Sequence, residues 1–259
     1  MVNIHVCYNV FDNEELLEHS IDNIRESVSE ISVLFQEVSN FGQKAEDGVL
    51  DFLKSLKDNK KIDNLILYTP ELSKGAFANE LRKNQITYNF SKKKKYDYHM
   101  VMACDEFYFA EEFEKLKQMV GETQVDQVTS YMYTYYKTSK YRFKEIENYV
   151  VPIMHKVHQD DRNFQKNARS PLLIDPARKM DYDSCICLSK HTPLMHHLSH
   201  VRKNYRKKLE NSTANVNWFN KIDKFVNDYE TWVPSEEAYV LGALTKLEYT
   251  DRFAKEITF

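Results

Sequence analysis

The chain has 259 residues, 42% hydrophobic and 29% charged, with a net charge of −3, which excludes disorder and argues against a protein built wholly around nucleic-acid phosphates. No apolar run approaches the ~20 residues needed to span a bilayer. Met1-Val2-Asn3-Ile4-His5-Val6 lacks the basic head and cleavage site of a secretory signal, so a cytoplasmic protein is expected, with its four cysteines reduced.

The first 120 residues alternate strand and helix. Residues 4–8 read as a strand. Asp12 and Asn13 then cap a helix whose apolar stripe is Leu17, Ile21, Ile24 and Val28. Residues 31–38 form a β-branched second strand, ending at the turn cluster Ser39-Asn40-Phe41-Gly42. A helix through Val49, Phe52, Leu53 and Leu56 follows, then a short strand at 65–68 stopped by Pro70, then a helix through Phe77 and Leu81. A buried strand at 98–102 runs directly into Cys104-Asp105-Glu106. The second half reads as a long aromatic strand over 128–136 and further strands at 150–154 and 185–188. A basic helix through Leu198, Val201, Tyr205 and Leu209 comes next, then an amphipathic helix over 215–229. Glu236-Glu237, after Pro234, resembles another helix start. The pattern predicts an α/β fold with a mainly parallel central sheet flanked by helices, a mixed second half and a helical C-terminal part. The expected divisions are 1–120, 121–210 and 211–259.

Ligands of such sheets bind beyond the carboxyl ends of the strands. Tyr8-Asn9, Ser39-Asn40 and Asp105-Glu106 all stand at such ends and are expected to be neighbours. No Gly-rich phosphate loop is present, so a nucleotide needs another device. Carboxylates at the end of a buried strand suit a hard divalent cation, Mn²⁺ or Mg²⁺, that carries a diphosphate; the plainer alternative is a helix cap. His196 and His197 are adjacent, so only one of them faces a shared site. Arg202 and Lys203 stand nearest that pair and are expected to neutralise a leaving diphosphate. Arg206, Lys207 and Lys208 are expected to be carried away along the helix. Asp175 and the pair Asp160-Asp161 are acids in irregular chain, turn formers or a general base. The tyrosines of 131–136 read as sheet packing or, alternatively, as a stacking platform.

Met102-Ala103-Cys104-Asp105-Glu106-Phe107-Tyr108 resembles the DxDEF motif of GT-A glycosyltransferases, especially family-2-like enzymes of bacteria and their phages. Gln36 to Gly42, Asn79 to Asn84 and the late Met195-His196-His197-Leu198-Ser199-His200-Val201-Arg202-Lys203 resemble further segments of the same group, in the same order. The resemblance implies transfer of a sugar from a nucleotide-sugar donor, a UDP-sugar favoured, to a glycan, a protein or a modified DNA base. It implies nucleotide contacts at Tyr8, Asn9, Asn40, Arg82, Asn84 and Cys104. It implies a metal at Asp105 with His197 or His196, and Asp105, Glu106, Arg202, Lys203 and Asp175 around the reaction. One departure stands out: the motif's first Asp is Ala103 here, which removes a carboxylate. That change motivates a second reading, a non-catalytic nucleotide-sugar-binding module. A third is a nucleic-acid-binding protein using Lys92 to Lys95 and the 202–208 segment.

Overall fold

The computed structural model describes residues 2–11, 14–168, 170 and 172–259, with the backbone alone at Val216 and Phe219. The cap expected at Asp12 and Asn13 lies outside the described residues. In chain order the first half runs β1 (Ile4–Val10), α1 (Glu14–Ile24), β2 (Glu30–Gln36), α2 (Val49–Asp58), β3 (Asn64–Tyr68), α3 (Gly75–Lys94), β4 (Tyr98–Ala103), β5 (Glu106–Phe107) and α4 (Ala110–Thr123). The second half runs β6 (Gln127–Ser130), β7 (Met132–Tyr136), β8 (Thr138–Phe143), β9 (Val151–Lys156), β10 (Cys185–Cys187), β11 (Met195–His200), α5 (Tyr205–Asn211), α6 (Ile222–Glu230), β12 (Glu237–Val240) and β13 (Ala243–Tyr249).

Two sheets result. The larger has the order β10-β6-β9-β4-β1-β2-β3. Its pairs are parallel except where β9 meets β4 and β6. β1 is buried along nearly its whole length, as expected of a parallel strand covered on both faces. Ile4, Val6 and Tyr8 share an apolar cluster with Leu17 and Ile21 of α1, Leu53 of α2 and Phe113 of α4. The alternate residues point at α3, where His5 meets Ser91. Helices therefore cover both faces, and the fold is mixed α/β as the sequence predicts.

The smaller sheet has the order β12-β13-β8-β7-β11-β5. It is antiparallel except for the parallel pair of β7 and β11. Several sequence expectations change here. The aromatic strand over 128–136 is two strands, β6 in the first sheet and β7 in the second, separated by Tyr131. Tyr135 and Tyr136 are fully buried, so they pack the core and offer no stacking platform. The basic helix begins only at Tyr205, because Met195–His200 is strand. The last helix covers only Ile222–Glu230, preceded by short 3-10 turns. Glu237 starts a strand, and the hairpin β12–β13 joins the second sheet, so the C-terminal part is one helix plus a hairpin.

Candidate active site at the junction of the two sheets

The chain changes sheets immediately after β4. Cys104 and Asp105 make the turn, and Glu106-Phe107 then pairs antiparallel with β11, which sets Glu106 opposite His197. The backbone N–H of Leu198 donates to the Asp105 carbonyl at 2.7 Å. β11 also pairs with β7, which sets His197 opposite Thr134. A cleft of about 530 Å³ opens at this junction, over the carboxyl ends of β1, β2 and β4.

One side of the cleft is built from amides. Asn9 Nδ2 donates to Asn84 Oδ1 at 2.8 Å, and Asn84 Nδ2 donates to the Ala177 carbonyl at 2.8 Å. Gln36 Nε2 donates to Asn40 Oδ1 at 2.9 Å, and Asn40 Nδ2 donates to Glu80 Oε1 at 2.7 Å. Asn40 is held there by a tight turn in which the Ser39 hydroxyl accepts from the N–H groups of Phe41 and Gln43, with Gly42 at φ 87°. Asn9 Oδ1 and Gln36 Oε1 are buried with no hydrogen-bond partner among the described residues. Buried acceptors are rarely left unpaired, so both point to a donor group supplied by a ligand or water.

The other side is charged. Asp105 is buried and pairs with Arg202 Nη2, with Lys208 Nζ at 3.4 Å and with His197 Nε2 at 3.5 Å. Burial alone would raise its pKa, but Arg202, then Lys208 and His197, more than offset that and hold the carboxyl well below the usual carboxylate range. Glu106 receives both guanidinium nitrogens of Arg178, whose Nη1 also donates to the Val101 carbonyl at 3.1 Å. Asp175 lies 3.4 Å from Arg178 Nε and caps the turn Pro176–Arg178 through the Ala177 N–H. Burial would lower the Arg178 pKa, yet Glu106 and then Asp175 hold it above the ordinary arginine range. On the second-sheet side, the Thr134 hydroxyl donates to Glu147 Oε2 at 2.8 Å.

Of the sequence candidates, Asn9, Asn40, Asn84, Cys104, Asp105, Glu106, Asp175 and His197 all line this cleft. Arg202 lies directly behind it, fully buried, with its Nε donating to the Ser199 carbonyl. Tyr8 is instead a core residue, its hydroxyl 2.9 Å from Ser20 Oγ. Arg82 is exposed and pairs with Glu71 at 3.5 Å, outside the cleft. His196 points through the opposite face of β11, buried 2.8 Å from the Tyr135 hydroxyl. Lys203 is exposed and does not line the cleft. The reach argument for the basic segment is corrected: with strand through His200 and a helix starting at Tyr205, the last lysine, Lys208, turns back onto Asp105. Among the further residues lining the cleft are Gln36 and Lys83, which fall inside the resembling segments but are not singled out there, and Glu147 and Arg178, which carry no local signal of their own.

Asp105 and His197 are the nearest approach to a cation site. Among the described residues no group of three His, Cys, Asp or Glu side chains gathers to hold an ion. Mg²⁺ in nucleotide sites is commonly bound through one or two carboxylates plus substrate phosphates. Two protein groups, with Arg202 and Lys208 already on Asp105, do not hold an ion alone; a cation here would need further ligands from a diphosphate.

No family model matches the chain, and no curated protein matches it. Among solved structures, the chain is similar to S. aureus TarS at 12% identity and a TM-score of 0.45, over 90% of this chain and 46% of that one. It is similar to TarS 1-349 at 11% identity and a TM-score of 0.45, over 80% and 63% of the two chains. Against the same fragment in complex with UDP the values are 12% and 0.35, over 52% and 36%. The chain thus spans less than two thirds of each of these structures, and likeness at this level says nothing of activity.

Proposed function

We propose that this chain transfers a glycosyl group from a nucleotide-diphosphate-sugar, a UDP-sugar first among them, to a hydroxyl-bearing acceptor. The observation that carries the reading is the cleft where the two sheets meet. Its amide side, with the unpartnered Asn9 Oδ1 and Gln36 Oε1, suits the N–H and hydroxyl donors of a nucleoside. Its charged side suits a diphosphate and the sugar it carries. The DxDEF-like segment at Ala103-Cys104-Asp105-Glu106-Phe107 supports the same reading.

Charge sets the cation requirement. The cleft is lined by the carboxylates of Glu80, Asp105, Glu106, Glu147 and Asp175 against three bases, Lys83, Arg178 and Lys208. A diphosphate entering alone meets net negative charge, so Mn²⁺ or Mg²⁺ is proposed to enter with it, held by Asp105 and His197. The ion supplies neutralisation of the leaving diphosphate. Lys208 stabilises the same developing charge from the protein side. Arg202 keeps Asp105 ionised and oriented, and Arg178 fixes the orientation of Glu106 through two hydrogen bonds.

Ala103 favours one alternative, a module that binds nucleotide-sugar without turning it over. A single assay separates the two. Incubation with UDP-glucose, UDP-galactose or UDP-N-acetylglucosamine and Mn²⁺ is expected to release UDP slowly, with water as acceptor. Saturable UDP binding without release supports the binding module. Neither binding nor release contradicts both.

A further inference from the structure

Among the described residues the cleft has five carboxylates, and four of them are paired with a lysine or arginine. Glu80 pairs with Lys83 at 2.8 Å, Asp105 with Arg202 and Lys208, and both Glu106 and Asp175 with Arg178. Among the described residues, Glu147 is the one cleft carboxylate with no lysine or arginine within ion-pair distance; its only hydrogen bond is from Thr134. A base paired to a guanidinium takes up a proton poorly, because protonation breaks the ion pair. A base that holds only a neutral hydroxyl is available.

Position agrees with availability. Glu106, His197 and Thr134 stand in register across β5, β11 and β7. Two strand spacings separate the first from the last, about 10 Å. Glu147 extends from the Thr134 end of that row, and Asp105 stands at the Glu106 end. A sugar lying over this row would present its phosphate bond toward Asp105 and Lys208 and its free face toward Glu147. Met132, Tyr149, Val151 and Met195 add apolar lining to the same cleft.

We infer that Glu147 is the general base of the transfer and that Thr134, Glu147 and Tyr149 mark the acceptor subsite, which takes a carbohydrate hydroxyl. This rests on the glycosyl-transfer reading above. The acceptor O–H gives its proton to the Glu147 carboxylate as the oxygen bonds to the anomeric carbon. The bond from that carbon to the phosphate oxygen breaks, and the nucleoside diphosphate leaves with the electron pair. Attack from the face opposite the leaving group inverts the anomeric centre.

The test uses the full chain, the three UDP-sugars with Mn²⁺, and water as acceptor. Glu147→Gln is expected to lower UDP release at least about 100-fold, the scale of general-base catalysis. Its affinity for UDP should stay within about twofold of the parent, because the base does not touch the nucleotide. Glu147 is exposed, so the variant should melt as the parent does. Sodium azide, which attacks without losing a proton, should restore turnover to Glu147→Ala and yield a glycosyl azide of inverted configuration. UDP release by Glu147→Gln equal to the parent's, or loss of release in Asp175→Asn alone, overturns the assignment while leaving the transfer reading in place. If the parent chain neither binds UDP nor releases it from any donor, the transfer reading itself fails and takes this inference with it.

Discussion

Asp105 is where the sequence motif and the structure meet, and its surroundings change what a substitution there should do. Arg202 has no exposed side chain, and among the described residues Asp105 is its only carboxylate partner. Breaking a buried pair from one side leaves an uncompensated charge, at a cost of about 3–5 kcal/mol. Asp105→Asn should therefore lower the urea midpoint markedly as well as weaken binding, and Arg202→Met should lower it less, because Lys208 and His197 still face Asp105. Combining the two should recover part of the loss, since the double variant buries no lone charge. Additive losses would mean that the pair is not coupled. Ala103→Asp tests the motif's departure in the other direction. A carboxylate at the end of β4 should strengthen Mn²⁺ binding in the presence of UDP at least about tenfold, or ~1.4 kcal/mol, by calorimetry; an unchanged value would show that position 103 does not face the cation. Asn9, Asn40 and Asp105 were legible in the sequence because each stands at or just past the end of a strand, and Asn84, inside α3, only through the family resemblance. Arg178 and Glu147 were not, because irregular chain gives no rule for where its side chains point.

Elements misread from sequence share a physical cause. Leu198, Val201, Tyr205 and Leu209 follow one another at helical spacing, yet they belong to two different packing layers. Leu198 and Val201 pack with Leu16, Phe107 and Tyr135, whereas Tyr205 and Leu209 pack with Phe225 and Tyr229. Periodicity cannot separate a helix from a strand that hands over to one. The consequence for α5 is testable. Lys208→Ala should weaken UDP binding at least about tenfold, while Arg206→Ala, whose partner is the exposed Asp223, should leave it unchanged. Equal effects would make α5 a solvated face. α3 hides a different feature. Its buried side is polar, made of Asn79, Lys83, Asn84, Thr87 and Ser91 with Tyr88, because the strands beneath it present His5 and His99. Ser91 Oγ lies 2.6 Å from His5 Nδ1 and 2.8 Å from His99 Nδ1. Ser91→Ala strands both rings and should cost about 1–3 kcal/mol of stability per ring nitrogen left unpaired; a loss near zero would mean that water replaces the hydroxyl.

At the scale of the whole molecule, the edge strand β5 of the smaller sheet follows directly from β4 in the middle of the larger one, and both the cleft and the Asp105–Arg202 pair depend on that junction. The larger sheet was readable because β1 and β2 are apolar runs each followed by an amphipathic helix. The smaller sheet was not, because β12 and β13 are largely exposed and β8 only half-buried, so none of them shows an apolar run. The core also carries five buried histidines, His5, His99, His155, His196 and His200. Burial pushes His5 down to about 4 and His155, His196 and His200 down to about 3, and holds His99 well below the usual range. The unfolded chain takes up protons below a pH of about 6.5 that the folded chain refuses, so stability must fall as pH drops from there toward 4, by up to ~1.4 kcal/mol per pH unit for each histidine. Thermal melts should be level from pH 8 to 7 and fall steeply between pH 6 and 5, and a level profile to pH 5 would contradict the neutral, buried assignment.

The central claim is that the junction cleft binds a nucleoside diphosphate together with a divalent cation. Titration calorimetry with UDP and Mn²⁺, singly and together, tests it most directly. The account predicts no measurable binding of Mn²⁺ alone, weak binding of UDP alone, and binding of the two together that is at least about tenfold tighter and is lost in Lys208→Ala. Tight binding of Mn²⁺ without nucleotide, or no binding of UDP with Mn²⁺ at concentrations up to about 1 mM, some 4 kcal/mol of affinity, would contradict it.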